Sequence, residues 1–426
     1  MEILIIFSIM LILMALKVPV AFSMATSATV ALLLKGVPLM LVPQRMFTAL
    51  DSFPLLAIPL FIFVGQAMNT GGITDKIFNF ARVYVRHIKG SLGHVNVIAS
   101  IIFAGMSGSA VADTSGLGLV EIKAMNEDGF DPEFSAAITA ASSTIGPIIP
   151  PSIPLVIYAV IAEQSVGRLF LGGVIPGLLM GLALMVYVYV ISKKRGYKVE
   201  PRATFKERIN ATIAAIPSLL TPVLLLSGIV FGIVTPTEGA AIAAIYALFL
   251  GFIIHKELTL KDLYKMLLST ASSTATILII ISSASIITWV ILSSDMPAIV
   301  AKTIFSVTNN KYLILFIVNI ILLILGCFME GTSIIMIMVP VLLPIMKMLN
   351  VDLVHFGVFL VLNVMIGLIT PPVGMCLYIV SKIAGISFER TSKAIIPFII
   401  ALIVVLFLIT YVPEFVTFLP NLIMDK

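Results

Sequence analysis

The chain has 426 residues, of which 60% are hydrophobic and only 11% charged, and 26 basic against 21 acidic side chains give a net charge of +5. A soluble globular chain is roughly half apolar and about a quarter charged, so most of this chain belongs in a bilayer, where charge is costly, and no compact basic domain is left to hold nucleic acid. Long uncharged runs such as 211–234 and 312–327 stand where a barrel would show alternating segments of about 10 residues, so the fold class is an all-α polytopic membrane protein.

Residues Met1 and Glu2 run straight into apolar sequence without a positive n-region or a small-residue cleavage site. We therefore expect a first membrane helix here rather than a removable signal. Apolar segments follow near 3–16, 19–34, 48–68, 94–112, 134–162, 168–192, 211–234, 236–254, 270–292, 312–329, 332–349, 354–382 and 393–412. Several are interrupted by Gly or Pro or are awkward lengths for a crossing of about 20 residues. They predict roughly 11–13 membrane segments, some of them hairpins that enter and leave on one side.

Two stretches are dense in charge. Residues 192–210 hold Lys193, Lys194, Arg195, Lys198, Arg202, Lys206 and Arg208 against Glu200 and Glu207, which reads as a cytoplasmic loop at mid-chain. Residues 75–89, with Lys76, Arg82, Arg86 and Lys89, are expected to lie flat on that face or just outside it. The two cysteines, Cys327 and Cys376, lie in apolar stretches and are expected to be packing residues, not a disulfide.

The chain repeats itself. Residues 145–151 (Ile-Gly-Pro-Ile-Ile-Pro-Pro) align with 366–372 (Ile-Gly-Leu-Ile-Thr-Pro-Pro), which carries Pro150 onto Pro371, an offset of 221 residues. Without a gap the same offset carries Pro176 onto Pro397, Asp131 onto Asp352, Met125 onto Met346 and Gly105 onto Gly326. The expected organisation is a first repeat over 1–192, a basic connector over 193–210 and a second repeat over 211–426. Repeated halves with Gly/Pro-interrupted apolar segments at matching positions point to a secondary transporter's binding site.

Four segments carry the candidate chemistry. Residues 105–118 combine four glycines with Ser107, Ser109, Asp113, Thr114 and Ser115, a run that does not hold a regular helix. It reads as a hairpin tip whose hydroxyls and carbonyls are hard ligands for sodium. Residues 141–154 hold Ser143, Thr144, Gly146, Pro147 and Pro150, and the prolines remove backbone donors. The second half offers Gly326, Glu330, Gly331, Thr332 and Ser333 as a second tip, and Gly367, Thr370 and Pro371 as a second break.

We assign a first sodium site to Ser107, Gly108, Ser109, Asp113, Thr144, Gly146, Pro147 and Pro150. A second is assigned to Gly326, Glu330, Gly331, Thr332, Gly367, Thr370 and Pro371. The substrate is expected near Ser143, Thr114, Ser333 and Thr370, with its carboxylate facing helix N-termini. Asp113, Glu238 and Glu330 are carboxylates in apolar surroundings and the rival proton carriers. Ordinary Gly/Pro kinking, with hydroxyls bonded back to the helix, is the competing reading of each segment.

At 105–118, 146–154, 51–61, 235–240 (Thr-Pro-Thr-Glu-Gly-Ala) and 367–374 the sequence resembles the large membrane subunit of tripartite ATP-independent periplasmic (TRAP) transporters. The resemblance covers essentially the whole chain. It implies an elevator-type fold with two inverted repeats and two re-entrant hairpins, in the bacterial inner membrane. It also implies a small four-helix membrane partner, a periplasmic substrate-binding protein, sodium as coupling ion with no cofactor, and organic carboxylates such as sialic acid or C4-dicarboxylates as substrates. Gly239 stands where such members often have Ala, with little consequence expected.

Three rivals remain at this level. The run Gly105-Met106-Ser107-Gly108 matches the Gly-x-Ser-Gly of intramembrane serine proteases, a chemistry that needs a base within reach. The four histidines, His87, His94, His255 and His355, all fall near loops or segment ends. A passive channel could also use Gly-rich re-entrant loops, and a related symporter could work without a binding protein.

Overall fold

The computed structural model describes residues 2–197, 199–294 and 296–424. Met1 of the first segment and Lys198 of the basic stretch lie outside them. The described residues form helices α1 (Glu2–Ala15), α2 (Val20–Leu34), α3 (Leu41–Thr48), α4 (Ala57–Thr70), α5 (Ile73–Val85), α6 (Ser91–Ser107), α7 (Ala110–Ser115), α8 (Leu117–Glu127), α9 (Pro132–Ser143), α10 (Ile153–Ala162) and α11 (Val166–Arg195). After the connector come α12 (Phe205–Val230), α13 (Pro236–Phe249), α14 (Leu260–Ser293), α15 (Met296–Val307), α16 (Lys311–Gly326), α17 (Gly331–Met348), α18 (Leu353–Gly367), α19 (Met375–Ala384), α20 (Phe388–Tyr411) and α21 (Glu414–Met424). No strand occurs among the described residues.

Seven of these stretches are long and apolar enough to cross a membrane, and they differ in what covers them. In α12 only 28% of the apolar window is buried against protein, which suits a helix facing lipid, whereas in α17 the share is 72%. An apolar helix so enclosed belongs to the protein core. The other apolar helices are shorter, because glycines and prolines divide them into arms and halves.

Elements recur at the spacing of the sequence repeat. Helices α6, α9, α10 and α11 correspond to α16, α18, α19 and α20, and α7 with α8 occupies the place of the continuous α17. The breaks between α9 and α10 and between α18 and α19 each contain a cis Pro–Pro peptide, Pro150–Pro151 and Pro371–Pro372.

Ion pairs mark one pole of the molecule. Arg82 in the last turn of α5 and Arg86 just past its end bind Glu200 at 2.7 Å and Glu207 at 3.1 Å, respectively. Arg195 binds Asp131, and Arg390 binds Glu133. The start of α6 is at this pole too, since a Cβ on Gly90 would lie 2.1 Å from Ser192 Oγ. The first hairpin, α6 to α8, therefore begins and ends beside the connector. Helix α20 starts at the same pole with Arg390 and its 24 residues reach about 36 Å away. At its far end Tyr411 donates to the Tyr312 carbonyl, and Lys311 donates to the Asn350 carbonyl. The second hairpin, α16 to α17, has both feet there, at the opposite pole.

Three helices begin with the same reciprocal cap: Thr204 with Glu207, Thr235 with Glu238 and Thr259 with Asp262. The last starts α14 ten residues before the apolar segment anticipated near 270. Bonds from the Thr204 backbone and hydroxyl hold the Glu207 carboxyl below its usual range. Its contribution is complete above pH 4.5, the ordinary value, and fades as pH falls through its lower folded value. Thr204→Ala is expected to fray the start of α12, read at neutral pH as faster trypsin cleavage at Arg202 and Lys206.

Candidate functional site

The first tip forms where α6 ends at Gly108, whose φ of 61° lies in the left-handed region. A side chain there is blocked as well, since its Cβ would sit 2.5 Å from the Pro151 carbonyl oxygen. The tip is thus seated directly on the first break. Gly105 also approaches it, since a Cβ there would lie 3.8 Å from the Pro150 carbonyl oxygen. Ser109 caps α7 by accepting from Ala112 N at 3.4 Å.

Asp113 on α7 is 2% exposed. One carboxylate oxygen accepts from the Ser107 hydroxyl. The other, Oδ2, is buried without a partner and faces Gly146, where a Cβ would come within 2.4 Å of it. Ser107, Asp113 and Gly146 are therefore brought together from three parts of the chain. Thr144 and Pro147 follow the local pattern of the break: Thr144 Oγ1 donates back to Ala141 O, and the Pro147 carbonyl accepts from Ser152.

Thr114 and Ser143 meet, with Thr114 Oγ1 donating to Ser143 Oγ at 2.8 Å, and the Cys376 thiol from α19 faces both. This trio is buried in the interior. Cys327 and Cys376 are both free thiols.

In the second half Gly326 and Gly367 pack α-carbon to α-carbon: a Cβ on Gly367 would lie 2.5 Å from Gly326 Cα. The second tip and break are further joined by Val373 N donating to Cys327 O at 3.3 Å. Glu330 has a local task, as its carboxylate accepts from Thr332 N at 2.9 Å and Ser333 N at 3.1 Å to cap α17. Thr370 Oγ1 donates back to Ile366 O. Gly331 packs at the start of α17 against Val364 and Met365, and Pro371 opens the cis Pro–Pro step. Glu238 joins neither cluster; it is exposed and closes the cap at the start of α13.

A cavity of about 360 Å³ opens beside the first tip. Ser107, Ser109 and Ser115 line it from the hairpin, Gln66 and Asn69 from α4, and Ser269 and Ser273 from α14. Gln66 Nε2 donates to Ser269 Oγ at 2.7 Å across it. Of the residues assigned to substrate, Ser143, Thr114, Ser333 and Thr370, none lines this space. Sequence reasoning missed Gln66, Asn69, Ser269 and Ser273; the one available signal was a run of hydroxyl residues inside apolar α14. It also missed Glu121 on α8, 1% exposed with Oε1 unpartnered.

The protease reading fails on geometry. Ser107 donates to a carboxylate, while His94 bonds the Lys89 carbonyl and His355 the Ile409 carbonyl. Both histidines are buried, and both lie at the starts of their helices, in keeping with their place near segment ends. No group of three or more His, Cys, Asp or Glu that could hold a metal occurs among the described residues. The donors around Asp113 are hydroxyl, carboxylate and backbone oxygens, which suit a hard cation.

Comparison with known proteins follows the same line. Residues 7–415 match the family described as tripartite ATP-independent periplasmic transporter, DctM component. The chain is 43% identical over 405 residues to the sialic acid TRAP transporter large permease protein SiaM of Vibrio cholerae, covering 95% of each. It is 37% identical over 377 residues to the C4-dicarboxylate TRAP transporter large permease protein DctM of Pseudomonas aeruginosa, covering 88% of each. Among solved structures, the YdaH transporter of Alcanivorax borkumensis superposes with a TM-score of 0.65 at 13% identity, over 87% of this chain and 88% of that one, a likeness of fold alone. The chain is a multi-pass membrane protein of the DctM component family, and so belongs to the large permeases of the TRAP transporters.

Proposed function

We propose that this permease imports an organic acid across the bacterial inner membrane by sodium symport and an elevator movement. It works with a small four-helix membrane partner and a periplasmic protein that delivers the substrate. The observation that carries the reading is the orphaned Asp113 Oδ2. A buried carboxylate oxygen without a partner costs several kcal/mol unless a cation or proton meets it. A sodium ion held by Ser107, Asp113 and nearby backbone oxygens meets that need and ties the tip to the break.

A second ion site between the second tip and break belongs to the same reading, with the Gly326–Gly367 contact seating that tip on its break. Hairpins with feet at opposite poles favour inverted halves, divided as 1–192 and 211–426 by the basic connector. Re-entrant hairpins of this kind let ion binding order the tips before the substrate is accepted, which is reciprocal coupling. Two sodium ions carrying one monoanion would move net positive charge, worth about 2.3 kcal/mol per charge per 100 mV.

The substrate site is assigned to the cavity beside the first tip. Its lining combines carboxamides and hydroxyls without a Lys or Arg side chain. That chemistry favours a polyhydroxylated acid with one carboxylate, of the sialic acid type, over a C4-dicarboxylate bearing two charges.

The test is uptake into proteoliposomes holding this chain and its small partner. Labelled substrate is supplied on the binding protein, with an inward sodium gradient against a potassium control. Accumulation is expected only with sodium and only with the binding protein. Sodium-independent uptake would move the role of Asp113 to proton carriage, and uptake without the binding protein would make this a stand-alone symporter. Gln66→Leu removes one polar contact worth about 1 kcal/mol, so the half-saturating substrate concentration should rise roughly fivefold with the sodium requirement intact.

A further inference from the structure

We propose that the cleft between α3, α14, α10 and α17 binds an anionic phospholipid, its phosphodiester at Arg45 and an acyl chain along the apolar walls. The cleft has a volume of about 300 Å³. Its walls are Ile157 and Val160 of α10, Met336 of α17 and Trp289 of α14, with Arg45 and Thr48 of α3 at the rim. Arg45 is exposed and makes no ion pair or side-chain hydrogen bond among the described residues.

The level of Arg45 in the bilayer follows from α14. Ser285 Oγ donates to the Arg45 carbonyl at 3.1 Å and Ser282 Oγ to the Met46 carbonyl at 2.9 Å, which pins α3 beside that part of α14. A helix of 34 residues is about 51 Å long, roughly 20 Å more than the hydrocarbon core. The first turns carry Lys261, Asp262 and Lys265, so the apolar part lies toward the C-terminal end, and Ser285 stands eight residues, about 12 Å, before that end at Ser293. An arginine held a little inside a helix end extends its guanidinium toward the interface, and tryptophan favours the same region.

Met40 and Phe47 flank the rim at 75% and 78% exposure, which continues the apolar surface outward. An organic acid would find one cation here but apolar walls, the reverse of the hydroxyl-lined cavity beside the first tip. A lipid matches both parts, with an anionic head for the guanidinium and a tail for Ile157, Val160 and Met336. Because α10 and α17 form one wall and α3 and α14 the other, the lipid would wedge between the two groups of helices.

Trp289 is the single tryptophan of the chain, so its fluorescence reports this cleft directly. The purified full chain is reconstituted with brominated phosphatidylglycerol or brominated phosphatidylcholine, which quench on contact. Half-quenching is expected at a severalfold lower mole fraction of the anionic lipid. R45Q should abolish that preference, R45K should retain most of it, and Val160→Phe should reduce quenching by both lipids. Equal quenching by the two lipids in the wild type, or an unchanged preference in R45Q, would overturn the proposal. So would dequenching by a free sugar acid or dicarboxylate, which would make the cleft a substrate vestibule. None of these readings requires transport.

Discussion

Replacing Asp113 with asparagine is expected to raise the sodium concentration that uptake requires while the chain still folds. Asparagine has nearly the same shape and its carbonyl still accepts from Ser107, so packing at the tip survives. What disappears is the charge of a side chain that is 2% exposed and has one oxygen without a partner. A hydrogen bond or contact to a charged group is worth about 1.5–3 kcal/mol. Its loss corresponds to a rise of roughly 10- to 150-fold in half-saturating sodium. Coupling is reciprocal, so any factor that D113N takes from sodium's effect on substrate affinity is lost equally from the substrate's effect on sodium affinity. A sodium titration of uptake in proteoliposomes measures this, and an unchanged half-saturating concentration in D113N would remove Asp113 from the ion site. Ser107→Ala should shift the same curve in the same direction by less, because it removes a neutral hydroxyl.

The second large effect is expected at Gly367. A Cβ there would lie 2.5 Å from Gly326 Cα and 2.8 Å from its carbonyl carbon, and both are backbone atoms that no rotamer change can move. Even G367A must therefore push the second tip off the second break. Overpacking of this kind costs about 1–3 kcal/mol and occasionally more, so G367A should lower the melting temperature and reduce uptake at least tenfold. Gly239→Ala is the matched control. A Cβ at Gly239 meets Ile229 and Val234 at 3.5 Å, an ordinary contact, which agrees with the small consequence expected for that position. If G367A behaves like G239A, the close approach of tip and break is not needed for transport.

Much of this arrangement can be read from the chain. Glycine and proline placement marks both tips and both breaks, because those residues interrupt helices through local backbone geometry that does not depend on the rest of the fold. The pairing of Asp131 with Asp352 and Pro150 with Pro371 is a matter of alignment alone. Helix α8 was not legible: Glu121, Lys123 and Glu127 make it too charged to pass as a membrane segment, yet its position inside the first hairpin buries Glu121. The start of α14 was placed ten residues late for a related reason. Hydropathy sees the apolar part of the helix and not the charged turns that the Thr259 cap sets in motion.

Roles within the sites divide along the same line. The sequence alone determined membrane class, helical architecture, the internal repeat, the four interrupted segments and the family resemblance, since each follows from composition or from local backbone preference. Only the tertiary structure decided which carboxylate is unsatisfied. Glu330 and Glu238 look as functional as Asp113 in the sequence, but both are occupied by the backbone or hydroxyl groups of their own helix starts. Asp113 alone of the three is left with an empty oxygen. The lining of the cavity was decided there as well, because Gln66, Ser269 and Ser107 are far apart in the chain and converge only when α4, α14 and the first hairpin pack. Hydrogen-bond satisfaction and cavity shape are properties of that packing, and no single segment contains them.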